Sequence, residues 1–137
     1  MNTKAIELPR NSILSLLSDA RHFQILFLGS FLVMVLFAND FPKKFLFQIG
    51  LTISSCIAFQ LLFSHFTTKN YNSWKSALIT SLGLCLLLKV DNLNWILLAS
   101  FIAIGSKFLI KYKGKHIFNP ANIGVVATIL LSQNAWI

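Results

Sequence analysis

Apolar residues in this chain come in five blocks, which are separated by short polar stretches and fall into two lengths. Three blocks are long: His22–Ala38, Phe45–Phe66 and Leu93–Tyr112. Two are short: Ser76–Leu88 and Pro120–Leu131. A helix needs about 17 to 25 residues to cross a bilayer, so the long blocks predict three full spans. The short blocks predict either broken or partly inserted helices whose free ends line a cavity, or ordinary short helices in a thinned or tilted arrangement.

The residues before the first long block follow a different pattern. Between Asn11 and Ala20, apolar residues recur at helical spacing on one side and polar residues occupy the other. The segment is too short and too polar to span, so it predicts an amphipathic helix lying in the membrane interface. Residues 1–21 are therefore interpreted as a cytoplasmic N-terminal region with this helix, and residues 22–137 as the transmembrane domain.

Composition also predicts an all-α integral membrane protein. Hydrophobic residues make up 55% of the chain and charged residues 12%, whereas a soluble domain carries about 25% charged residues. The formal net charge is +8, but no basic block is expected to be interleaved with exposed aromatic residues. The lysines and arginines are therefore interpreted as topology signals and contacts to the lipid bilayer, and no nucleic-acid partner is predicted.

The distribution of basic residues predicts the orientation of the chain. If all five blocks cross the membrane, nine of the twelve lysines and arginines fall on the N-terminal side, and Lys43, Lys44 and Lys89 fall on the other. The side with more positive charge faces the cytoplasm, so the N-terminus of a multi-pass protein is predicted there. A re-entrant short block would change the count after residue 76.

The Asn-Pro pair that starts the last block is the strongest candidate site. Pro120 suits the first turn of a helix, because the N–H that it lacks would be unpaired there anyway. Asn119 is a good N-cap, and Asn122 lies one turn further on the same side. Two carboxamides and a helix N-terminus thus gather beside several lysines, which predicts a site for a polar or anionic group in the interior of the protein.

Other residues carry little chemistry. Cys56 and Cys85 lie in apolar blocks without metal-ligand spacing, so no metal site is predicted. Gln48 and Gln60 are polar positions within the second block, and we expect them to face protein, where they either bond between helices or contact a ligand. The four acidic residues lie outside the blocks, and no catalytic constellation is present. The chain is at most a non-catalytic subunit of an enzyme complex.

Three stretches carry a resemblance to a known family: GKHIFNPANIG (114–124), SALITSLGLCLLL (76–88) and DARHFQILFLGSFLV (19–33). They resemble the homologous membrane subunits that the sodium-pumping NADH:quinone reductase shares with the Rnf-type electron transport complex. The resemblance implies one five-segment repeat of an inverted-repeat fold similar to urea transporters. It also implies a bacterial inner membrane, and as partners either the other proteins of such a complex or a second copy of the chain.

The resemblance has consequences for cofactors. In the family a flavin is attached to a threonine in a Ser-Gly-Ala-Thr motif, which is absent here, so no covalent FMN site is predicted. A non-covalent flavin (riboflavin or FMN) is implied near Asn119 and Asn122, because a carboxamide can both donate to and accept from the ring edge. Phe118 either stacks on that ring or lies against lipid or core, and Lys115 and His116 would lie at the cytoplasmic rim.

The sequence is compatible with three functions. The first is a membrane subunit of a flavin-dependent electron transport complex, which couples redox chemistry to cation movement. The second is a channel or small-solute transporter with a urea-transporter-like fold. Asn-Pro-Ala at 119–121 is also the aquaporin triplet, although it occurs once here. The third is a structural protein of the membrane in which the capped turn only fixes helix packing.

Overall fold

The computed structural model describes residues 20–40, 42–67, 73–112, 115–132 and 135–137. The interfacial helix predicted for residues 11–20 lies outside this part, apart from Ala20. The described residues are mostly helical, as the sequence predicts. They form five helices: α1 (Ala20–Ala38), α2 (Lys43–Thr67), α3 (Trp74–Leu87), α4 (Asn94–Leu109) and α5 (Pro120–Leu131). They also form four two-residue strands: β1 (Lys89–Val90), β2 (Lys111–Tyr112), β3 (Lys115–His116) and β4 (Ala135–Trp136).

The helices alternate in direction, so their ends form two groups. In the first group, β1 pairs antiparallel with β4, which brings the end of α3 beside the end of α5. There too, the Nζ of Lys44 lies 3.5 Å from Oδ1 of Asp91, which brings the start of α2 beside the start of α4. We call this group the aspartate end, because Asp40 and Asp91 lie there.

At the opposite end of the bundle, β2 and β3 form a hairpin that connects α4 to α5. Lys75 at the start of α3 contacts His22 at the start of α1, with 3.0 Å between Nζ and Nε2. We call this group the lysine end, after four lysines of the described residues that lie there: Lys75, Lys107, Lys111 and Lys115. Basic residues of the described part are thus divided between the two ends of the bundle.

Helix α3 is the centre of the bundle, since it packs against each of the other four helices. Small buried side chains let the helices approach closely, and Gly124 on α5 shows this most clearly. A Cβ atom at Gly124 would lie 2.8 Å from both the carbonyl oxygen of Ala99 and the Cβ of Ala103 on α4. The absence of a side chain at this one position therefore sets the distance between α4 and α5.

The inward face of α2 is polar. Its buried residues recur at helical spacing: Gln48, Thr52, Ser55, Cys56, Gln60 and Ser64. Large apolar side chains cover its outer face, including Phe47 and Phe66. Helix α1 has only one buried residue, Leu32, within an otherwise apolar sequence. The prediction that Gln48 and Gln60 face protein is confirmed by their burial.

Two helices, α1 and α2, are long and apolar enough to cross a membrane, judged by length and composition alone. The predicted third full span differs from the structure, because α4 has 16 residues and ends at Leu109. The sequence interpretation extended this span to Tyr112, but Lys111 and Tyr112 pair with His116 and Lys115 in the hairpin. A tight hairpin competes with helix here, and apolar content alone does not reveal it.

Candidate functional site

The predicted helix start at the Asn-Pro pair is confirmed. Helix α5 begins at Pro120, and Asn119 is its N-cap with extended backbone angles (φ −66°, ψ 118°). The Oδ1 atom of Asn119 accepts a hydrogen bond from the backbone N–H of Ala121 at 3.1 Å. This bond satisfies one of the N–H groups that the first turn of a helix leaves unpaired.

The hairpin β2–β3 directly precedes this helix start in the chain. Its backbone pairs Lys111 with His116 and Tyr112 with Lys115, so both strands lie at the lysine end. Lys115 and His116 form β3, which ends three residues before the cap. Their side chains lie outside what the structure describes, so their predicted place at the rim of the site stays a prediction.

The structure differs from the sequence interpretation in where the two carboxamides point. Asn119 and Asn122 are exposed on the outer face of α5 and do not face the interior. The inward positions of α5 belong to small or β-branched residues that pack against α3 and α4: Ala121, Gly124, Val125 and Thr128. Helical geometry puts residues 119 and 122 on the side opposite to these.

A groove of about 370 Å³ runs along this outer face. Phe118 and the two asparagines lie at its upper end, and apolar side chains continue it down the helix. Phe118 is 60% exposed, which leaves its ring accessible. The groove is lined by seven residues: Phe118, Asn119, Asn122, Ile123, Val126, Ala127 and Leu130.

The groove combines an apolar wall with hydrogen-bonding groups at one end. Asn119 uses its Oδ1 for the cap, and its Nδ2 group donates to nothing in the described part of the chain. The carboxamide of Asn122 can both donate and accept. Such a surface can hold a flat ligand whose faces are apolar and whose edge carries carbonyl and N–H groups.

A buried lysine is the feature that sequence reasoning missed. Lys107 is only 4% exposed, and its Nζ donates to the carbonyl oxygen of Ser76 at 2.7 Å and to Ser76 Oγ at 3.2 Å. Sequence reasoning counted it as a topology signal. Its spacing from the buried residues Ala103 and Ile104 on α4 is the signal that could have revealed its inward direction.

The lysine end holds no acidic residue within the described ranges. Asp40 and Asp91 lie at the aspartate end. Glu7 and Asp19 belong to the N-terminal residues, which lie outside the part of the chain that the structure describes. The charge on Lys107 is thus compensated by hydroxyl and carbonyl dipoles in the described structure, which is uncommon for a buried amine.

Hydrogen bonds to a neighbouring helix or its end hold several of the other buried polar side chains. Ser55 on α2 and Ser100 on α4 join their hydroxyls at 2.9 Å. Gln48 Nε2 donates to the carbonyl oxygen of Leu88 at 2.9 Å, and Gln60 Nε2 donates to Ser73 Oγ at 2.8 Å. Oε1 of Gln60 is buried without a partner among the described residues. These contacts hold α2 to both α3 and α4.

Redox and metal chemistry have few candidate groups here. Cys56 and Cys85 are both buried free thiols. In the ranges that the structure covers, no three His, Cys, Asp or Glu side chains come together as metal ligands would. The Asn119–Asn122 groove and the buried Lys107 are therefore two places at which the described chain offers polar groups for chemistry.

Comparison with known proteins identifies no relative: no family model, no curated protein and no solved structure matches the chain significantly. The resemblance to the quinone reductase and Rnf membrane proteins therefore stays a prediction that depends on the sequence motifs alone.

Proposed function

We propose that this chain is an integral membrane protein whose five helices all cross the bilayer. The observation that carries this proposal is the reversed distribution of polarity in α2, where Gln48, Thr52 and Ser55 are inside and Phe47 and Phe66 are outside. A water-soluble helix buries its large apolar side chains and exposes its polar ones. In lipid, small and polar residues between helices provide the packing and hydrogen bonds that hold a bundle together.

The ends of the bundle support an orientation. Five basic residues in the described part lie at the lysine end: Arg21, Lys75, Lys107, Lys111 and Lys115. Three lie at the aspartate end, Lys43, Lys44 and Lys89. The excess of positive charge favours a cytoplasmic lysine end, and with it a cytoplasmic N-terminus in a bacterial inner membrane.

Within that membrane, we infer a role as a subunit of a flavin-dependent electron transport complex of the Rnf or NADH:quinone reductase type. The outer face of α5 supports this role, because it joins an apolar groove to the carboxamides of Asn119 and Asn122. A non-covalent flavin would lie with its ring against the groove and its polar edge at the asparagines, and Phe118 is accessible for stacking. The chain would position the flavin and tune it, whereas the flavin itself supplies the redox chemistry.

The test begins with membrane fractionation of the full chain, followed by mild detergent extraction and a visible spectrum. We expect the purified protein to show flavin absorbance that bleaches on reduction with dithionite. Asn122→Ala removes a ligand group without touching the cap and should lower the flavin content. Asn94→Ala is a matched control, because Asn94 is also exposed at a helix start but lies at the aspartate end. A colourless wild-type protein would contradict the flavin role.

A second candidate is a channel or small-solute transporter with a urea-transporter-like fold. The polar interface between α2 and α4 favours it, since Ser55 and Ser100 meet inside the bundle. Solute uptake into proteoliposomes would support transport if Ser100→Val abolished it and Asn122→Ala did not. The reverse dependence, with flavin binding and no uptake, would support electron transport.

A further inference from the structure

The aspartate end contains a second cavity, of about 250 Å³, which is separate from the groove on α5. It opens where the turn between α1 and α2 meets the strand pair β1–β4. Drug-sized ligands occupy clefts of roughly 300–1,000 Å³, so this cavity suits a smaller group. Charged or polar side chains from four parts of the chain line it: Asn39, Lys44, Gln48, Lys89, Asp91 and Trp136.

One part of the cavity favours an anion. Lys89 and Trp136 are partners in the β1–β4 register, so their side chains lie on the same face of the strand pair. Helix α2 starts at the cavity edge, and its first helical hydrogen bond is the 2.9 Å bond from Phe45 N to Pro42 O. The backbone N–H groups of Lys43 and Lys44 precede that bond in the chain. Together with the ammonium groups of Lys44 and Lys89, they suit a phosphate.

Another part of the cavity favours a cation. Asp91 and Lys44 form an ion pair at 3.5 Å, but both side chains are 64% exposed, so the pair is weak and Asp91 can accept from another group. Gln48 is only 5% exposed, and its Nε2 donates to Leu88 O. The Oε1 atom of Gln48 accepts no hydrogen bond from the described residues, and the Gln48 side chain lines the cavity.

We propose that this cavity binds a phosphoethanolamine group. The phosphate contacts Lys89, Lys44 and the start of α2, and the ammonium group contacts Asp91 and Gln48 Oε1. Trp136 packs beside the group, as tryptophan does at membrane surfaces. The inference depends on the proposed membrane location, in which the aspartate end lies at the headgroup level. The same chemistry has two sources: the headgroup of phosphatidylethanolamine, or free phosphoethanolamine.

The experiment measures binding by native mass spectrometry of the full chain in detergent, with lipids of identical acyl chains. We expect phosphatidylethanolamine to bind more tightly than phosphatidylcholine, whose methylated nitrogen cannot donate hydrogen bonds. Lys89→Gln and Asp91→Asn should each weaken phosphatidylethanolamine binding by about fivefold, the loss expected for one charge contact at a membrane surface. Lys43→Gln is the matched control, because Lys43 is exposed at the same helix start but does not line the cavity.

Free phosphoethanolamine provides the arm that separates the two sources. If it displaces the lipid at similar concentrations, the soluble compound is the ligand; if only the lipid binds, the site is a lipid site. Equal affinity for phosphatidylcholine, tighter binding of phosphatidylglycerol, or equal losses in Lys43→Gln and Lys89→Gln would overturn the proposal. Thermal unfolding of each variant shows that it is folded. Membrane fractionation and the flavin spectrum test the proposed function separately, since the flavin groove lies on another face of the bundle.

Discussion

The amine of Lys107 lies 2.7 Å from the carbonyl oxygen of Ser76 and joins the last turn of α4 to the first turn of α3. The same oxygen also accepts from Thr80 Oγ1 at 2.9 Å. A cation is therefore held inside the bundle by a backbone carbonyl that already has another hydrogen-bond donor. The contribution of this charge to the stability of the bundle can therefore be tested by mutation.

Replacing Lys107 tests whether its charge stabilises the fold. Lys107→Met keeps the length and apolar stem of the side chain, and the Ser76 carbonyl keeps its bond from Thr80. We expect the free energy of unfolding to change by less than about 1 kcal/mol, because the cost of burying the amine disappears together with its hydrogen bonds. Lys107→Glu places a carboxylate against the Ser76 carbonyl and should lower that free energy by roughly 3 kcal/mol or more. Denaturation in mixed micelles measures both; equal losses would mean that the positive charge itself holds the helices.

Gly124 tests the close approach of α4 and α5. Gly124→Ala forces a Cβ to within 2.8 Å of Ala99 O and Ala103 Cβ, so we expect a loss of about 1–3 kcal/mol from overpacking. Gly50→Ala is the control, because a Cβ at that position on α2 meets nothing within 4 Å. It should leave stability unchanged or slightly increase it, since alanine favours helix. The same unfolding assay compares the two, and a neutral Gly124→Ala would show that α5 packs less closely than described.

Gln48 and Gln60 are buried to a similar extent, with 5% and 4% of their surface exposed. They differ in which hydrogen-bonding groups a substitution removes or leaves without a partner. Gln48→Leu deprives the Leu88 carbonyl of its side-chain donor and should cost about 1–3 kcal/mol of stability. Gln60→Met also removes a fully buried oxygen that has no partner in the described structure, which offsets part of its loss, whereas the Oε1 of Gln48 belongs to a side chain that lines a cavity. We therefore expect the Gln60 variant to be the more stable of the two in thermal unfolding. The opposite order would indicate that Oε1 of Gln60 is satisfied in the membrane.

Asn119 combines a capping role with the proposed ligand role, and two substitutions separate them. Asn119→Ala removes the bond to Ala121 N and should cost about 1 kcal/mol. Asn119→Asp keeps a capping oxygen but loses the Nδ2 donor, so stability should be retained while flavin content falls. Chemical denaturation and the visible spectrum of the same samples give both readouts. Retention of flavin in Asn119→Asp would remove the Nδ2 group from the proposed site.

The sequence predicted the short helix Pro120–Leu131 with the bounds that the structure gives it. This success has a local cause, because an N-cap asparagine followed by proline specifies a helix start within a few residues. The end of α4 was predicted less well. Lys111 pairs with His116 in a hairpin, and the apolar pattern does not show that a hairpin forms here in place of further helix. Local signals therefore predicted one boundary and missed the other.

The direction in which side chains point is harder to predict from the sequence than the bounds of the helices. The spacing of Asn119 and Asn122 predicts that they share a face, and both line the same groove. Which face points inward depends on where α3 and α4 pack, and the small residues Ala121 and Gly124 decide that. Burial of Lys107 has the same origin, because only the position of α3 brings Ser76 within reach of its amine.

The polar inward face of α2 should also reverse the usual pattern of tolerated substitutions. A saturation library at Thr52 and Ser55 should accept small hydroxyl-bearing residues and reject leucine, since Ser55 lies within hydrogen-bond distance of Ser100. At Phe47 and Phe66 the library should accept almost any apolar residue and reject charged ones, because these side chains are on the outside. Such a profile would identify the medium around the helices from growth or folding data alone.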